Sequence, residues 1–243
     1  MNTPNKPIAL ITGAAAGIGA ACARELHAHG CQVLIHYRSN EEQARELHKE
    51  LTGSILLKAD LAIETEIDEL VAQIKNLGGV DILVNNAGMT ADAPFLMSKM
   101  IDYENVFNVN IKSTFLLTKK LTKSMMRKRS GRIINISSVV GVTGDAGQSI
   151  YGMTKAAIIN LTKTLSIELA PYNILVNAVA PGFIATAMTD KLPQEAITQI
   201  LEKIPLQKMG TTQDIAKMVR FLGLEADYCT GATFHVNGGM YGV

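Results

Sequence analysis

The sequence predicts an α/β fold: a single doubly wound parallel sheet with helices on both faces. Three observations predict it. Apolar stretches of strand length alternate with amphipathic stretches of helix length; no long linker, short repeat or low-complexity segment breaks the alternation; and hydrophobic residues fill 47% of the 243 positions. Such alternation places successive strands in parallel, joined by crossover helices. A sheet covered on both faces needs nearly continuous apolar strands, which this composition supplies. The length suits one domain with a substantial core, so residues 1–243 are read as one unit.

The elements follow in order. Ile8-Ala-Leu-Ile-Thr12 is a short apolar strand, and the stretch after its glycine loop is a helix over 18–29. Strand 32–37, helix 41–51, strand 54–59, helix 64–77 and strand 81–85 continue the pattern. A long helix is expected over 103–128. The apolar run Gly131-Arg-Ile-Ile-Asn-Ile-Ser-Ser138 gives strand 131–137, followed by helix 149–170, strand 173–179, helix 212–223 and strand 232–236. From Pro181 to about Gly210 the rhythm breaks, with an amphipathic piece, Glu195 to Glu202, between Pro193 and Pro205. An insertion between strand and helix at the ligand end reads as a lid over about 183–210, the alternative being a plain surface excursion. Met97, Met188 and Met209 are candidates to line an adaptable apolar channel, or else core filler.

Chemistry concentrates at the strand ends. Thr12, Asp60, Asn85, Ser138 and Ala180 all fall at or near carboxyl ends of strands, where open α/β sheets bind ligands, so one site is implied. Tyr151 and Lys155 are four residues apart and share a helical face, while Ser138 ends a neighbouring strand. An ammonium beside a phenol favours the phenolate and draws its pKa down toward the working range of an acid/base catalyst. A serine hydroxyl nearby could hold a substrate oxygen against that phenol. At the other end of the chain, Gly13-Ala-Ala-Ala-Gly17-Ile-Gly19 between strand and helix has the layout of a dinucleotide-binding turn. Gly13 permits the tight turn, Gly17 lets a pyrophosphate approach the backbone, Gly19 allows close helix packing, and the helix N-terminus offers free N–H groups to phosphate.

Together these residues resemble the short-chain dehydrogenase/reductase family, whose Thr-Gly-x-x-x-Gly-x-Gly spacing runs here from Thr12 to Gly19. Asn85-Asn86-Ala87-Gly88, Asn110 within the long helix, and Pro181-Gly182 agree in order, so the likeness runs from about residue 8 to the C-terminus. Within the family the chain is most similar to the 3-oxoacyl-[acyl-carrier-protein] reductases, on Gly131 to Gly141, Val179 to Ile184, and His235-Val-Asn-Gly-Gly-Met240.

The resemblance implies a Rossmann-type fold and a catalytic set of Ser138, Tyr151, Lys155 and Asn110. Ser137 is also open as the substrate donor; register relative to Tyr151 favours Ser138. Asn110 would hold a water leading protons to Lys155. The cofactor would be bound by Gly13, Gly17, Ile18, Gly19, Arg38, Asp60, Leu61, Asn86, Ala87, Gly88, Tyr151, Lys155, Pro181, Gly182, Ile184 and Thr186. Tyr37 stands where NAD-preferring relatives carry an acid for the ribose 2′-OH, and Arg38 could pair with a 2′-phosphate, so NADP(H) is the cofactor expected. Ala15 and Ala16 replace an arginine that many NADP-dependent relatives carry in the glycine loop.

The activity implied is NADPH-dependent reduction of a 3-oxoacyl thioester on acyl carrier protein, in fatty-acid or related polyketide or polyene synthesis. Two alternatives stand beside it: a dehydrogenase of a free small alcohol, sugar or steroid, and a non-catalytic NADPH-binding protein. The basic run Arg127-Lys-Arg129 with Arg132 offsets a helix dipole, docks an acidic carrier near Arg129, or does both. Tyr172 stands where related reductases often have a further basic residue. A homotetramer is implied, with interfaces expected on the two long helices (Phe115, Leu116, Leu117, Ile158, Ile159) and the tail from Ala232 to Val243.

Composition excludes other classes. A formal net charge of +1 gives no global field for nucleic acid or an anionic membrane. No apolar run reaches the ~18 residues of a membrane span, and the N-terminus lacks the apolar stretch of a signal peptide, so a cytoplasmic location is expected. Cys22, Cys31 and Cys229 show no paired spacing, and the five histidines form no ligand pattern, so no metal is expected.

Overall fold

The computed structural model describes residues 6–186, 189 and 193–242. Within them, strands β1 (Ile8–Ile11), β2 (Gln32–Tyr37), β3 (Ile55–Lys58), β4 (Ile82–Asn85), β5 (Gly131–Ile136), β6 (Ile174–Pro181) and β7 (Thr233–Val236) form one sheet in the order β3-β2-β1-β4-β5-β6-β7. Every pairing is parallel. Each strand expected from the sequence is present, with ends within two residues. The sheet winds outward in both directions from β1 and β4, which opens a crevice at their carboxyl ends.

Helices α1 (Gly17–Ala28), α2 (Glu41–Glu50) and α9 (Thr212–Leu224) cover one face; α3 (Glu64–Asn76), α5 (Ser113–Lys128) and α7 (Ser149–Leu169) cover the other. Strand alternation feeds both cores. Ala9, Ile11, Val33, Ile35 and Val84 pack toward Ala23, Leu26, Ile215 and Val219, whereas Leu10, Leu34, Leu83 and Ile133 pack toward Ile67, Leu70, Leu117 and Leu121. Burying one such side chain contributes roughly 1.5–3 kcal/mol. The remaining helices are α4 (Met100–Phe107), α6 (Val140–Thr143) and α8 (Gln194–Glu202).

Two expectations are corrected. The helix expected over 103–128 begins at Met100 and is divided by a π-helical turn, Asn108–Lys112, between α4 and α5. Within it the Asn110 side chain reaches out of the helix to bond the Met89 backbone, 21 positions back in the chain. Such wide turns concentrate at functional sites. Secondly, Leu117, Ile158 and Ile159, expected at a subunit interface, are buried within the subunit; of that set Phe115 remains well exposed.

Candidate active site

At the carboxyl end of β1 the chain turns through Gly13 (φ 65°) and Gly17 (φ 55°), both in the left-handed region that favours glycine. The turn is stapled to β4. Thr12 Oγ1 accepts from the Asn86 and Ala87 amides, each at 2.9 Å, and Asn86 Nδ2 donates to the Thr12 and Gly13 carbonyls at 2.8 and 3.2 Å. The Asn86 side chain therefore holds the turn itself. A β-carbon on Gly19 would stand 2.3 Å from the Gly13 carbonyl oxygen, so this glycine packs against its own loop. Ile18 is half-buried against the core beneath.

The residues fit a dinucleotide. No side chain caps α1, no acid occupies its first turn, and space beside Gly17 is open. By contrast, α9 is closed by a capping box between Thr211 and Asp214. An uncapped helix N-terminus facing a crevice offers N–H groups and partial positive charge to phosphate. The crevice is lined by Gly13, Arg38, Asp60, Leu61, Ala87 and Gly88, all expected there. Asp60 is fixed at both ends, its amide donating to Glu66 Oε2 at 2.6 Å and its Oδ1 accepting from Ala62 N at 2.9 Å. His36, buried beneath this crevice, was not anticipated; its signal is a polar residue following the apolar run Val33-Leu-Ile35 in the same strand.

The reactive end adjoins it. A β-carbon on Gly88 would lie 3.3 Å from Asn110 Oδ1 and 3.6 Å from Lys155 Nζ. Lys155 Nζ donates to the Ile136 carbonyl at 2.8 Å and lies 5.4 Å from the Tyr151 ring centroid. Burial lowers the Lys155 pKa to about 8. Tyr151 is raised above its ordinary value, chiefly by burial, against the hydrogen bond with Ser138; the Asp92 charge adds to the rise. The expected lowering of the phenol is therefore corrected. Lys155 sits over the ring and bonds a carbonyl, while burial dominates at the hydroxyl.

Serine roles separate cleanly. Ser137 is buried and its hydroxyl donates to the Lys155 carbonyl at 2.8 Å, whereas Ser138 is half-buried beside Tyr151. Asn110 uses both side-chain groups: Oδ1 accepts from Met89 N at 2.8 Å, and Nδ2 donates to Met89 O at 2.9 Å and Thr154 Oγ1 at 3.0 Å. Thr154, not anticipated from sequence, passes the link to the Tyr151 carbonyl at 2.8 Å.

Pro181 accepts from Val139 N at 2.9 Å, and Gly182 N donates to Val236 O at 2.9 Å, which closes the end of β6 beside Ser138. Ile184 is buried and bridges to Gly210; Thr186 N donates to Thr189 Oγ1 at 2.8 Å. The stem of the 183–210 excursion is thus zipped by Ala185 N to Gly210 O and Gly210 N to Phe183 O. In α8, Ala196, Ile197, Ile200 and Leu201 are only half-buried. Met188 lies outside the described residues, Met97 is exposed and Met209 half-buried. No group of three or more metal-binding side chains occurs among the described residues, and no helix there is long and apolar enough to cross a membrane.

An open α/β crevice with an uncapped helix N-terminus, beside a Ser-Tyr-Lys cluster built on a buried lysine, has the architecture of a dinucleotide-dependent oxidoreductase. A family model described as enoyl-(acyl carrier protein) reductase matches residues 13–241. The 3-oxoacyl-[acyl-carrier-protein] reductase FabG of Aquifex aeolicus is 46% identical over 241 residues, covering 96% of this chain and 97% of its own. Nodulation protein G of a Rhizobium species is 48% identical over 235 residues, 96% of each chain. Among solved structures, one assigned as a betaketoacyl-ACP reductase matches with a TM-score of 0.89 and 32% identity, over 98% of each chain. Another, assigned as a gluconate dehydrogenase from Agrobacterium tumefaciens, matches with a TM-score of 0.94 and 30% identity, over 98% of this chain and 96% of its own. The chain belongs to the short-chain dehydrogenase/reductase family, as an oxidoreductase that uses a nicotinamide cofactor.

Proposed function

We propose that the protein reduces the keto group of a 3-oxoacyl thioester on acyl carrier protein to the 3-hydroxy form, with NADPH as reductant. The observation that carries this reading is that Tyr151 meets both the Ser138 hydroxyl and Lys155, whose ammonium lies beside Gly88 at the inner end of the crevice. The relatives named for 3-oxoacyl-[acyl-carrier-protein] reduction support the substrate.

When bound, the reduced nicotinamide supplies hydride to the carbonyl carbon. Tyr151, kept protonated by burial, gives its phenolic proton to the carbonyl oxygen as the C–H bond forms. Ser138 donates a hydrogen bond to the same oxygen, where negative charge develops. Lys155 would hold the nicotinamide ribose, and its ammonium would stabilise the phenolate left on Tyr151. With both side-chain groups of Asn110 engaged, a relay water would lodge against its backbone carbonyl, which accepts from Thr114 Oγ1 at 2.9 Å. Ile184 and Thr186 would meet the carboxamide side of the cofactor, and the lid expected over about 183–210 would cover the substrate from the zipped stem. Arg38, exposed at the crevice rim, selects the 2′-phosphate.

The carrier docks near Arg129, whose Nη2 donates to the Pro171 carbonyl at 2.7 Å. Lys128 and Arg132 are ion-paired with Asp81 and Asp227. Arg129 precedes β5 and Ser138 follows it, so the two lie at opposite ends of that strand. A carrier docked at Arg129 therefore serves the active site of another subunit. This accords with a homotetramer, and exposed Phe115 and Ile167 together with the half-buried edge strand β7 support such an assembly. Three unpaired cysteines, two of them buried, suit a reducing cytoplasm.

The test is NADPH oxidation with a 3-oxoacyl carrier thioester, its short free thioester analogue, and the matching enoyl thioester. Preferred turnover of the carrier-bound 3-oxo substrate supports the proposal. Turnover of the enoyl substrate alone moves the reaction to C=C reduction, which the family description names. Turnover of none of the three, with NADPH bound, points to a free alcohol or ketone.

A further inference from the structure

We infer that His36 is a positioning residue for the dinucleotide, one imidazole tying together the three loops that shape the adenosine end of the crevice. Its side chain is 2% exposed and follows Leu34 on the same face of β2. Gly13 N donates to its Nδ1 at 3.0 Å, so Nδ1 carries no proton. Nε2 therefore bears the hydrogen and donates to the Ala59 carbonyl at 3.1 Å. The His36 main-chain carbonyl accepts from Ala14 N at 2.8 Å, and Ala59 N donates to Tyr37 O at 3.1 Å.

The three loops joined are the glycine turn at Gly13, the end of β2 that leads to Arg38, and the end of β3 that leads to Asp60 and Leu61. All of them line the crevice. Because the Gly13 N–H is taken by His36, phosphate must be met further along the turn, at the uncapped start of α1. Burial lowers the His36 pKa to about 4, which keeps the ring in the neutral form that this arrangement requires. No apolar side chain can replace it without leaving a buried N–H and a buried carbonyl unpartnered.

The inference rests on a nicotinamide dinucleotide occupying the crevice and is independent of the acyl substrate. Binding of NADP+ by calorimetry and the steady-state constants for NADPH test it in wild type, His36→Leu, His36→Asn and His36→Gln. The amide oxygen of asparagine overlays Nδ1 and keeps the Gly13 bond; glutamine reaches only the Nε2 position. Expected are a loss of about tenfold or more in NADP+ affinity and a matching rise in KM for NADPH for His36→Leu, with kcat within about threefold and most of the loss recovered in His36→Asn. A folded His36→Leu protein that binds NADP+ like wild type, or loses kcat at unchanged affinity, overturns the inference. If His36→Leu does not fold, the other pair decides: tighter binding by asparagine than by glutamine supports it, and equal binding overturns it. Wild type that binds neither NADP+ nor NADPH overturns the cofactor reading and the role of His36 with it.

Discussion

Ser137 and Lys155 are locked to one another across β5 and α7. The Ser137 hydroxyl donates to the Lys155 carbonyl at 2.8 Å, while Lys155 Nζ donates to the carbonyl of Ile136, the residue before Ser137, also at 2.8 Å. The lysine is therefore gripped at its backbone and at its tip by adjacent residues of one strand. This leaves the next residue, Ser138, free to face Tyr151. Two neighbouring serines thus hold different offices, one in the frame and one beside Tyr151, where the proposed reaction sets the substrate oxygen.

Replacement of each serine by alanine separates these offices. Ser137→Ala leaves the buried Lys155 carbonyl one hydrogen bond short and should cost about 1 kcal/mol of stability. Ser138→Ala removes a donor to developing charge and should lower kcat about 100-fold with little change in melting temperature. Thermal denaturation and steady-state kinetics on both variants check this. Equal kcat losses in the two would refute the division.

The buried Lys155 cation is costly to the fold. With its pKa lowered from 10.5 to about 8, Lys155 is protonated at neutral pH in folded and unfolded chains alike, and the folded state pays roughly 3 kcal/mol for that charge. Between pH 8 and 10.5 the unfolded chain binds more protons, so stability attributable to this residue rises with pH through that window. Lys155→Met should abolish reduction, melt higher than wild type near pH 7, and lose the advantage above pH 10. The pH profile of kcat/KM for NADPH, which reports the free enzyme, should carry an alkaline limb near pH 8.

The architecture was legible because Ile8–Ile11 is apolar throughout, Gly131–Ile136 is mostly so, and helices such as Glu64–Asn76 keep a clean apolar stripe. The glycine turn was legible because its chemistry is written in the backbone, where no side-chain geometry need be known. What sequence spacing does not encode is the third dimension of single polar groups. Within the π-helical turn Asn110 reaches Met89, 21 positions away, and the grip on Gly13 depends on His36, 23 positions away. The sign of the Tyr151 shift was likewise hidden, since spacing brings Lys155 near without revealing that Nζ is bound to Ile136 or how deeply the phenol is buried.

Glycines of the turn differ in why they are needed. Gly17→Ala adds a β-carbon into open space and meets only the left-handed backbone, a cost of about 1 kcal/mol with the crevice narrowed at the phosphates. Gly19→Ala collides with the Gly13 carbonyl at 2.3 Å and with Asn86 Nδ2 at 2.6 Å, so the turn itself must shift. Gly19→Ala should therefore lose both stability and dinucleotide affinity, and Gly17→Ala chiefly affinity. Calorimetric binding alongside denaturant unfolding distinguishes them.

Cofactor preference should rest on Arg38. The end of β2 presents no acid: Tyr37 is buried against the core, and the exposed guanidinium that follows is the cation lining the crevice. Loss of one charge-assisted contact to a phosphate costs about 1.5–3 kcal/mol, so Arg38→Ala should raise KM for NADPH roughly 10- to 100-fold. NADH, which has no 2′-phosphate, should be used equally well by both proteins. Raising salt should weaken NADPH binding in wild type more than in the variant, because an exposed ion pair is screened. A wild type that already prefers NADH would remove Arg38 from this role and assign the ribose to Asp60 and the backbone around it.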